Sequence, residues 1–251
     1  MRIIFTGVFL SVLLLSFGQD SGDRDVTPKY SNEFLNIGVS ARAFGMGFTS
    51  ISFIDDVTAG YWNPSGLNDL SSDHQLSLMH SSYFSGLANY DYAGFATAID
   101  DESKIAISVI RFSVDKIPDT RFLIDVNGAI RYENIEFFAS ADYAFLLSYA
   151  RVLPFFGGIK SGGNLKIIHR TVGPFSKAWG FGFDFGVQKE IGKWNIGVVA
   201  RDALGTFNAW SHNASEVEDI YALTGNDVPL NSLEVTHTAD FDKSSDRRNS
   251  V

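Results

Sequence analysis

The chain has 251 residues, no cysteine and a formal charge of −9. The lack of cysteine excludes a disulfide framework, a thiolate zinc site and a thiol nucleophile, and the acidic balance argues against binding nucleic acid by bulk electrostatics. With 45% hydrophobic residues the sequence is too apolar for a disordered chain, and its 22 Phe and 23 Gly point to bulky side chains placed opposite small ones.

The N-terminus predicts export. Arg2 precedes an apolar run of about 15 residues, and the small residues Ser16 and Gly18 fit a cleavage site before Gln19. A transmembrane anchor is the alternative, but a spanning helix needs roughly 20 apolar residues. We therefore predict a cleaved signal peptide over residues 1–18, followed by a protein that is either soluble outside the cytoplasm or crosses a membrane as strands.

Residues 38–67 form a glycine-rich segment that precedes the first predicted strand. Residues 63–66 read Asn-Pro-Ser-Gly, which is a turn signal. The acidic pair Asp55 and Asp56 either binds a cation or caps backbone amides at a bend, and we favour capping. From the residues alone, this segment is a glycine-rich cap with a type I turn.

The next part of the chain alternates with period 2. Trp179, Phe181, Phe183 and Phe185 occupy every second position of residues 178–188, and the positions between them are mostly Gly and Ala. This pattern predicts a strand. A soluble sandwich, which is the alternative, would carry solvated polar residues opposite its apolar face, whereas small residues suit the interior of a membrane barrel.

Similar alternation predicts about seven strands of roughly ten residues, the length that a tilted membrane-spanning strand needs. The other six lie at residues 105–109, 142–151, 164–170 and 194–201 and, with less regular alternation, at 75–83 and 90–99. Short connections at 100–102 and 190–193 contrast with longer ones at 115–139, 172–177 and 204–232. Short turns on one side and long loops on the other are typical of outer-membrane barrels. We therefore predict an all-β, antiparallel transmembrane β-barrel, with its strand meander over residues 71–205.

Charged residues on the small-residue side of these strands are predicted to face the lumen. They form either a charge network of use in transport or a set that solvates the interior and pairs with the N-terminal segment. The predicted lumen-facing residues are Lys104, Asp142, Lys166, Asp184 and Arg201.

Residues 206–236 are predicted to form an extracellular-type loop and the possible start of a further strand. Phe207, Trp210 and Tyr221 lie among acidic residues there and are candidate partner contacts. A short helix packed on the barrel rim is the alternative. Residues 237–251 are polar and do not alternate, so we predict a disordered tail.

Three ordered motifs in the N-terminal segment resemble the PorV/PorQ family of Bacteroidetes outer-membrane proteins, which are distant relatives of FadL-type barrels. They are Ala-Arg-Ala-Phe-Gly-Met-Gly at 41–47, Asp-Asp followed by Thr-Ala at 55–59, and Tyr-Trp-Asn-Pro-Ser-Gly-Leu at 61–67. The resemblance implies a fourteen-stranded barrel whose N-terminal segment, here residues 19–70, folds into or beside the lumen as a plug. The residues that carry this plug motif are Arg42, Gly45, Gly47, Asp55, Asp56, Asn63, Pro64 and Gly66.

The resemblance also implies a function in type IX protein secretion. PorV-type proteins bind the C-terminal signal domain of cargo from the outer-membrane translocon and carry it to the attachment machinery, so the expected partners are these proteins and outer-membrane lipid. A FadL-like conduit for hydrophobic small molecules is the alternative. Seven strands are half of fourteen, so we interpret the chain as a shortened member whose second half is missing, in preference to two copies that share one barrel.

Catalysis has no candidate residues. The sequence contains no nucleophile elbow, phosphate-binding loop or metalloprotease helix. Its five histidines are scattered without the spacing of metal ligands. We therefore expect a protein that is not an enzyme and that uses no cofactor, no metal and no nucleic-acid partner.

Overall fold

The structure is a computed structural model that describes residues 32–124, 127–154, 157–213 and 231–236, the last range by its backbone alone. The predicted signal peptide, residues 19–31 of the predicted plug, Tyr221 and the predicted tail lie outside the described residues. Within the described ranges, no helix combines the length and the apolar character that crossing a membrane requires.

Nine strands form one antiparallel sheet, which is curled like half of a barrel. The all-β prediction is confirmed. Neighbouring strands pair in sequence order from β1 to β6, β6 then pairs with both β7 and β8, and β8 pairs with β9. The strands are β1 (His74–Tyr83), β2 (Ala88–Ala98), β3 (Ser103–Asp119), β4 (Glu136–Leu153), β5 (Ile159–Val172), β6 (Ser176–Ile191), β7 (Trp194–Ala200), β8 (Thr206–His212) and β9 (Asn231–Thr236).

The remaining elements are short. Two helical turns, α1 (Ala41–Gly45) and α2 (Ala59–Trp62), lie in the N-terminal segment, which we define as residues 32–70. The 3₁₀ turns are Glu33–Asn36, Pro64–Asp69, Phe84–Gly86 and Tyr132–Asn134.

Several loops predicted from the sequence are shorter than expected. The predicted loop 115–139 is strand at both ends, because β3 continues to Asp119 and β4 starts at Glu136. A bulge between Val114 and Ile117 interrupts the alternation of side chains. The sequence pattern therefore does not predict the last part of β3. The predicted long loop 172–177 is a tight turn over residues 173–175, and the predicted loop after residue 204 contains β8.

The strands β7 and β8 are two parts of one partner of β6. Phe185 of β6 pairs with Ala200, and Phe181 pairs with Phe207. Between these two pairs β6 advances by four residues, whereas the segment from β7 to β8 advances by seven. The segment from β7 to β8 therefore contains three extra residues. They lie in the turn over residues 201–205, where Asp202 has a positive φ of 49°. Extra residues of this kind re-aim side chains, and here the turn brings Asp202 to buried residues of β5 and β6.

The two faces of the sheet differ in burial. The concave face contacts the N-terminal segment, whose residues form one core with sheet residues such as Tyr90, Ile110 and Ile168. The convex face carries large apolar side chains that the described part of the chain leaves exposed. These are Leu76, Leu78, Phe95, Ile107, Phe145, Leu147, Tyr149, Ile167, Trp179, Phe181, Phe185, Val187, Ile196 and Val198.

Candidate functional site

The candidate site is the concave face of the sheet together with the N-terminal segment that packs into it. Small residues on the strands permit this close approach. A Cβ atom at Gly162 would lie 2.5 Å from the carbonyl carbon of Pro64, and one at Gly197 would lie 2.6 Å from the carbonyl oxygen of Ile51. Glycine is therefore required on this face because the backbone of the segment occupies the space of a side chain.

Polar side chains of the sheet hold the segment by its backbone. The Asn164 Nδ2 donates to the Gly60 carbonyl at 2.7 Å, and the Gln188 Nε2 donates to the Ile51 carbonyl at 2.7 Å. The Gln75 Oε1 accepts from the Val57 amide at 3.1 Å. These bonds satisfy backbone groups that packing against the sheet removes from water, which would otherwise be costly.

The Asn-Pro-Ser-Gly turn signal forms the start of a 3₁₀ turn, Pro64–Asp69, where a type I turn was predicted. Asn63 is fully buried, and its Oδ1 accepts from the Ser65 amide at 3.2 Å and from the Ser65 hydroxyl at 2.7 Å. Pro64 occupies the first helical position, where a missing amide hydrogen has no cost. Capping by Asn63 together with Pro64 favours a helical start. A Cβ at Gly66 would lie 2.7 Å from the Ile54 carbonyl oxygen.

The two aspartates of the segment have different environments. The Asp56 carboxylate accepts from the amide and the hydroxyl of Thr58, at 2.8 Å and 2.5 Å, which is the capping role. Asp55 forms an ion pair of 2.5 Å with Arg42, and both side chains are half-exposed. Among the described residues, no group of three or more His, Asp or Glu side chains could hold a metal ion.

The two exposed glycines of the motif lie at the end of α1. Gly45 is its last residue, and a Cβ there would meet no atom within 4 Å. Gly47 has a positive φ of 64°, in the left-handed region that favours glycine. Gly47 therefore allows the chain to turn after α1, and a Cβ at either glycine would meet no atom within 4 Å.

Arg201 connects the turn between β7 and β8 to the N-terminal segment. Its guanidinium lies 5.0 Å from the ring centre of Tyr61 and 5.5 Å from that of Trp62, which are cation–π distances. Its Nη2 also donates to the Tyr61 carbonyl at 3.5 Å. The Tyr61 hydroxyl donates to the Leu35 carbonyl, and burial raises the pKa of Tyr61 above its usual value. The Tyr61 side chain is thus fixed by the Arg201 guanidinium on its ring and by the Leu35 carbonyl at its hydroxyl.

A buried charged cluster lies beside this contact. The Lys166 Nζ is 2.8 Å from the Asp184 Oδ1 and also forms an ion pair with Asp202. The Asp184 carboxylate accepts from the Asp202 amide at 2.9 Å and from the Asn164 Nδ2 at 3.2 Å. Lys166 and Asp184 are almost fully buried. Strand alternation does not predict Asp202 as a member of this cluster, because its inward direction comes from the three extra residues of the turn.

The five residues predicted to face the lumen do not form one network. Lys166 and Asp184 share the cluster, and Arg201 contacts the N-terminal segment. Asp142 instead accepts two hydrogen bonds from Arg170, at 3.0 Å and 3.1 Å. Lys104 lines a separate cavity of about 400 Å³ near His74 and Asp100. The interior charges are therefore distributed over separate groups along the concave face.

The predicted partner contacts in a loop are not brought together. Phe207 and Trp210 both lie in β8, and their separation of three residues places them on opposite faces. The Phe207 ring stacks on Phe181 of the convex face, with ring centres 5.2 Å apart. Trp210 lies under Arg170, with the guanidinium 5.2 Å from its ring centre. Pairing with β6 explains the difference, since it draws both residues into the sheet.

Comparison of the chain with protein-family models, with curated proteins and with solved structures finds no match.

Proposed function

We propose that this chain is an outer-membrane β-barrel protein of the PorV/PorQ type that binds and shuttles cargo in type IX secretion. The observation that carries the membrane part is the convex face, which exposes large apolar side chains on seven neighbouring strands. A soluble sheet would cover such a face, because exposed apolar patches of this extent mark an interaction surface. Lipid is the partner that fits a face curved outward and covered over most of its strands by large apolar side chains.

The concave face supports cargo binding over passage of a solute. Backbone atoms of the N-terminal segment fill the space above Gly162 and Gly197. Asn164 and Gln188 hold it there through buried hydrogen bonds. The N-terminal segment thus occupies space along these strands through which a solute would pass, and we expect cargo to bind at the ends of the barrel.

A barrel in a bilayer also requires pairing of the open edge strands. The edge strand β1 has ten residues and contains no Lys or Pro that would protect it against pairing. Unpaired backbone groups cost several kcal/mol each in hydrocarbon, so we expect further strands, or a second copy of the chain, to pair with β1 and β9 in the membrane.

The experiment that tests cargo binding is a pull-down from a detergent extract of outer membranes. The tagged chain should retain a fusion protein that bears a type IX C-terminal signal domain, and the matched control is the same fusion without that domain. Retention of both fusions, or of neither, contradicts the proposal. Uptake of a radiolabelled fatty acid that depends on the chain, without retention of cargo, would establish the FadL-like conduit instead.

A further inference from the structure

The hairpin of β3 and β4 projects beyond the rest of the sheet. Strand β2 pairs with β3 as far as Val114, and β5 pairs with β4 as far as Ser140. Beyond these residues β3 continues to Asp119, and β4 begins at Glu136. Within the described part of the chain, residues 115–139 therefore have no neighbouring strand on either side. We define the projecting hairpin as the described residues of this range, 115–124 and 127–139.

The base of the projecting hairpin is fixed to the turn between β5 and β6. The Phe138 ring packs edge-to-face on the Phe175 ring of that turn, with ring centres 5.1 Å apart. The Arg121 guanidinium lies 4.6 Å from the centre of the same Phe175 ring. The Nε and Nη2 of Arg121 also donate to the Asp119 Oδ2, at 3.0 Å and 2.8 Å, and both side chains are mostly buried. The hairpin is therefore held in position before a partner binds, which lowers the entropy cost of binding.

The projecting hairpin carries large apolar side chains that are 54–71% exposed. They are Phe122, Ile124, Ile130, Tyr132 and Phe137. The three aromatic residues directly follow Arg121, Arg131 and Glu136 in the sequence, so apolar and charged groups are interleaved. Aromatic residues and arginine are enriched at the centres of protein interfaces, where they contribute most of the binding energy. The composition of the hairpin is therefore that of a surface for binding protein.

Hydrocarbon cannot cover the projecting hairpin. A bilayer accepts strands only where the backbone groups are paired. The hairpin has two free edges, because the pairing with β2 and β5 stops before it. It therefore lies in water, where a group of exposed apolar side chains marks a site of protein binding.

The opposite end of the sheet offers no comparable surface in the connections after β2 and β6. These connections are short, at residues 99–102 and 192–193. The N-terminal segment also occupies the concave face near that end, where Gln75 and Gln188 bond to its backbone. The end with the projecting hairpin is therefore the one that presents a surface to a large partner.

We infer that the projecting hairpin is the surface on which the chain binds the cargo signal domain, with Tyr132 and Phe137 as its apolar anchors. These two are the most exposed aromatic residues of the hairpin. The cargo domain must present an apolar surface to them, because binding removes both rings from water. The inference rests on the proposed function, which names the partner. It goes further by assigning binding to one end of the barrel and to one element.

The test compares two double variants of the full chain in detergent. The variant Tyr132→Ala, Phe137→Ala removes both anchors, and Phe84→Ala, Leu87→Ala is the matched control. The control also removes two exposed apolar side chains, from the turn between β1 and β2 at the same end of the sheet. Surface plasmon resonance measures the dissociation constant of each chain for an immobilised fusion protein that bears a type IX C-terminal signal domain. Circular dichroism checks that each variant is folded.

Loss of both anchors should weaken binding by more than about tenfold, because a few central side chains carry most of the energy of an interface. The control should bind as tightly as the natural chain. An unchanged affinity of the anchor variant, or an equal loss in both variants, would overturn the inference while leaving cargo binding intact. Absence of binding by the natural chain would overturn the proposed function, and the inference with it.

A nitroxide label at Tyr132→Cys tests whether the projecting hairpin lies in water, since the sequence contains no other cysteine. The labelled chain is folded into vesicles of dilauroylphosphatidylcholine. The label should be relaxed more strongly by a water-soluble nickel chelate than by oxygen. Stronger relaxation by oxygen would mean that lipid covers the hairpin, which contradicts the inference.

Discussion

At the residue scale, the glycines on the concave face are set by contact with another part of the chain. Gly162 has an ordinary strand conformation, so no backbone requirement explains it. The carbonyl carbon of Pro64 is the atom that excludes a side chain. A backbone atom cannot rotate away as a side chain can, so a larger residue must displace the whole 3₁₀ turn Pro64–Asp69.

Gly162→Ala should therefore lower the free energy of unfolding by about 1–3 kcal/mol, the range for overpacking a buried site. The matched control is Gly45→Ala, because a Cβ there meets no atom within 4 Å and alanine favours the helical turn. Urea unfolding in detergent, followed by circular dichroism, measures both. An unchanged midpoint for Gly162→Ala would mean that the segment does not pack against β5 as described.

At the element scale, the three extra residues between β7 and β8 allow β6 to pair with both strands. The turn that contains them is tied to β5 and β6 by buried charges, since Lys166 bonds to Asp184 and Asp202. Such a cluster adds little net stability when complete, because burying each charge is costly. It instead favours one arrangement of the turn, since any other leaves a buried charge without its partner.

Lys166→Met should destabilise the chain by about 3–5 kcal/mol, because it leaves two aspartates in a buried site without their cation. Lys104→Met is the control, since Lys104 is a half-buried lysine on the same face, and it should change the stability by less than about 1 kcal/mol. The melting temperature in detergent reports both effects. Equal shifts for the two variants would contradict the role given to the buried cluster.

At the scale of the whole molecule, the N-terminal segment and the sheet form one core. Residues of the segment such as Trp62, Val39 and Leu67 are buried together with Tyr90 and Ile168 of the sheet. The segment is therefore expected to be ordered only while the sheet holds it.

The double variant Asn164→Ala, Gln188→Ala should loosen the segment, because it removes two buried donors. The Gly60 carbonyl loses its side-chain donor, and the Ile51 carbonyl keeps only the Nδ2 of Asn63, at 2.8 Å. Leaving a buried carbonyl unpaired costs about 1–3 kcal/mol. Limited trypsin digestion should then cleave after Arg42 several-fold faster than in the natural chain. Asn195→Ala, at an exposed position near the start of β7, is the control and should leave the cleavage rate unchanged.

The sequence by itself determined the strands that alternate and the face that each side chain occupies. The period of two is a local property, so residues 178–188 predict both β6 and its two faces. The sequence also determined the capping role of Asp56, which acts on the Thr58 amide two residues away. The Phe and Gly excess corresponds to bulky convex and small concave positions on strands such as β6.

Only the tertiary structure decided the features that depend on distant partners. Strand β8 and the ends of β3 and β4 are strands because neighbouring strands pair with them, although their sequences give no clear alternation. Asp202 joins Lys166 because three extra residues change its direction. Arg111 and Tyr143 are in contact because the register between β3 and β4 aligns them, although they are far apart in the chain. Register results from packing over the whole sheet, and no local stretch of sequence encodes it.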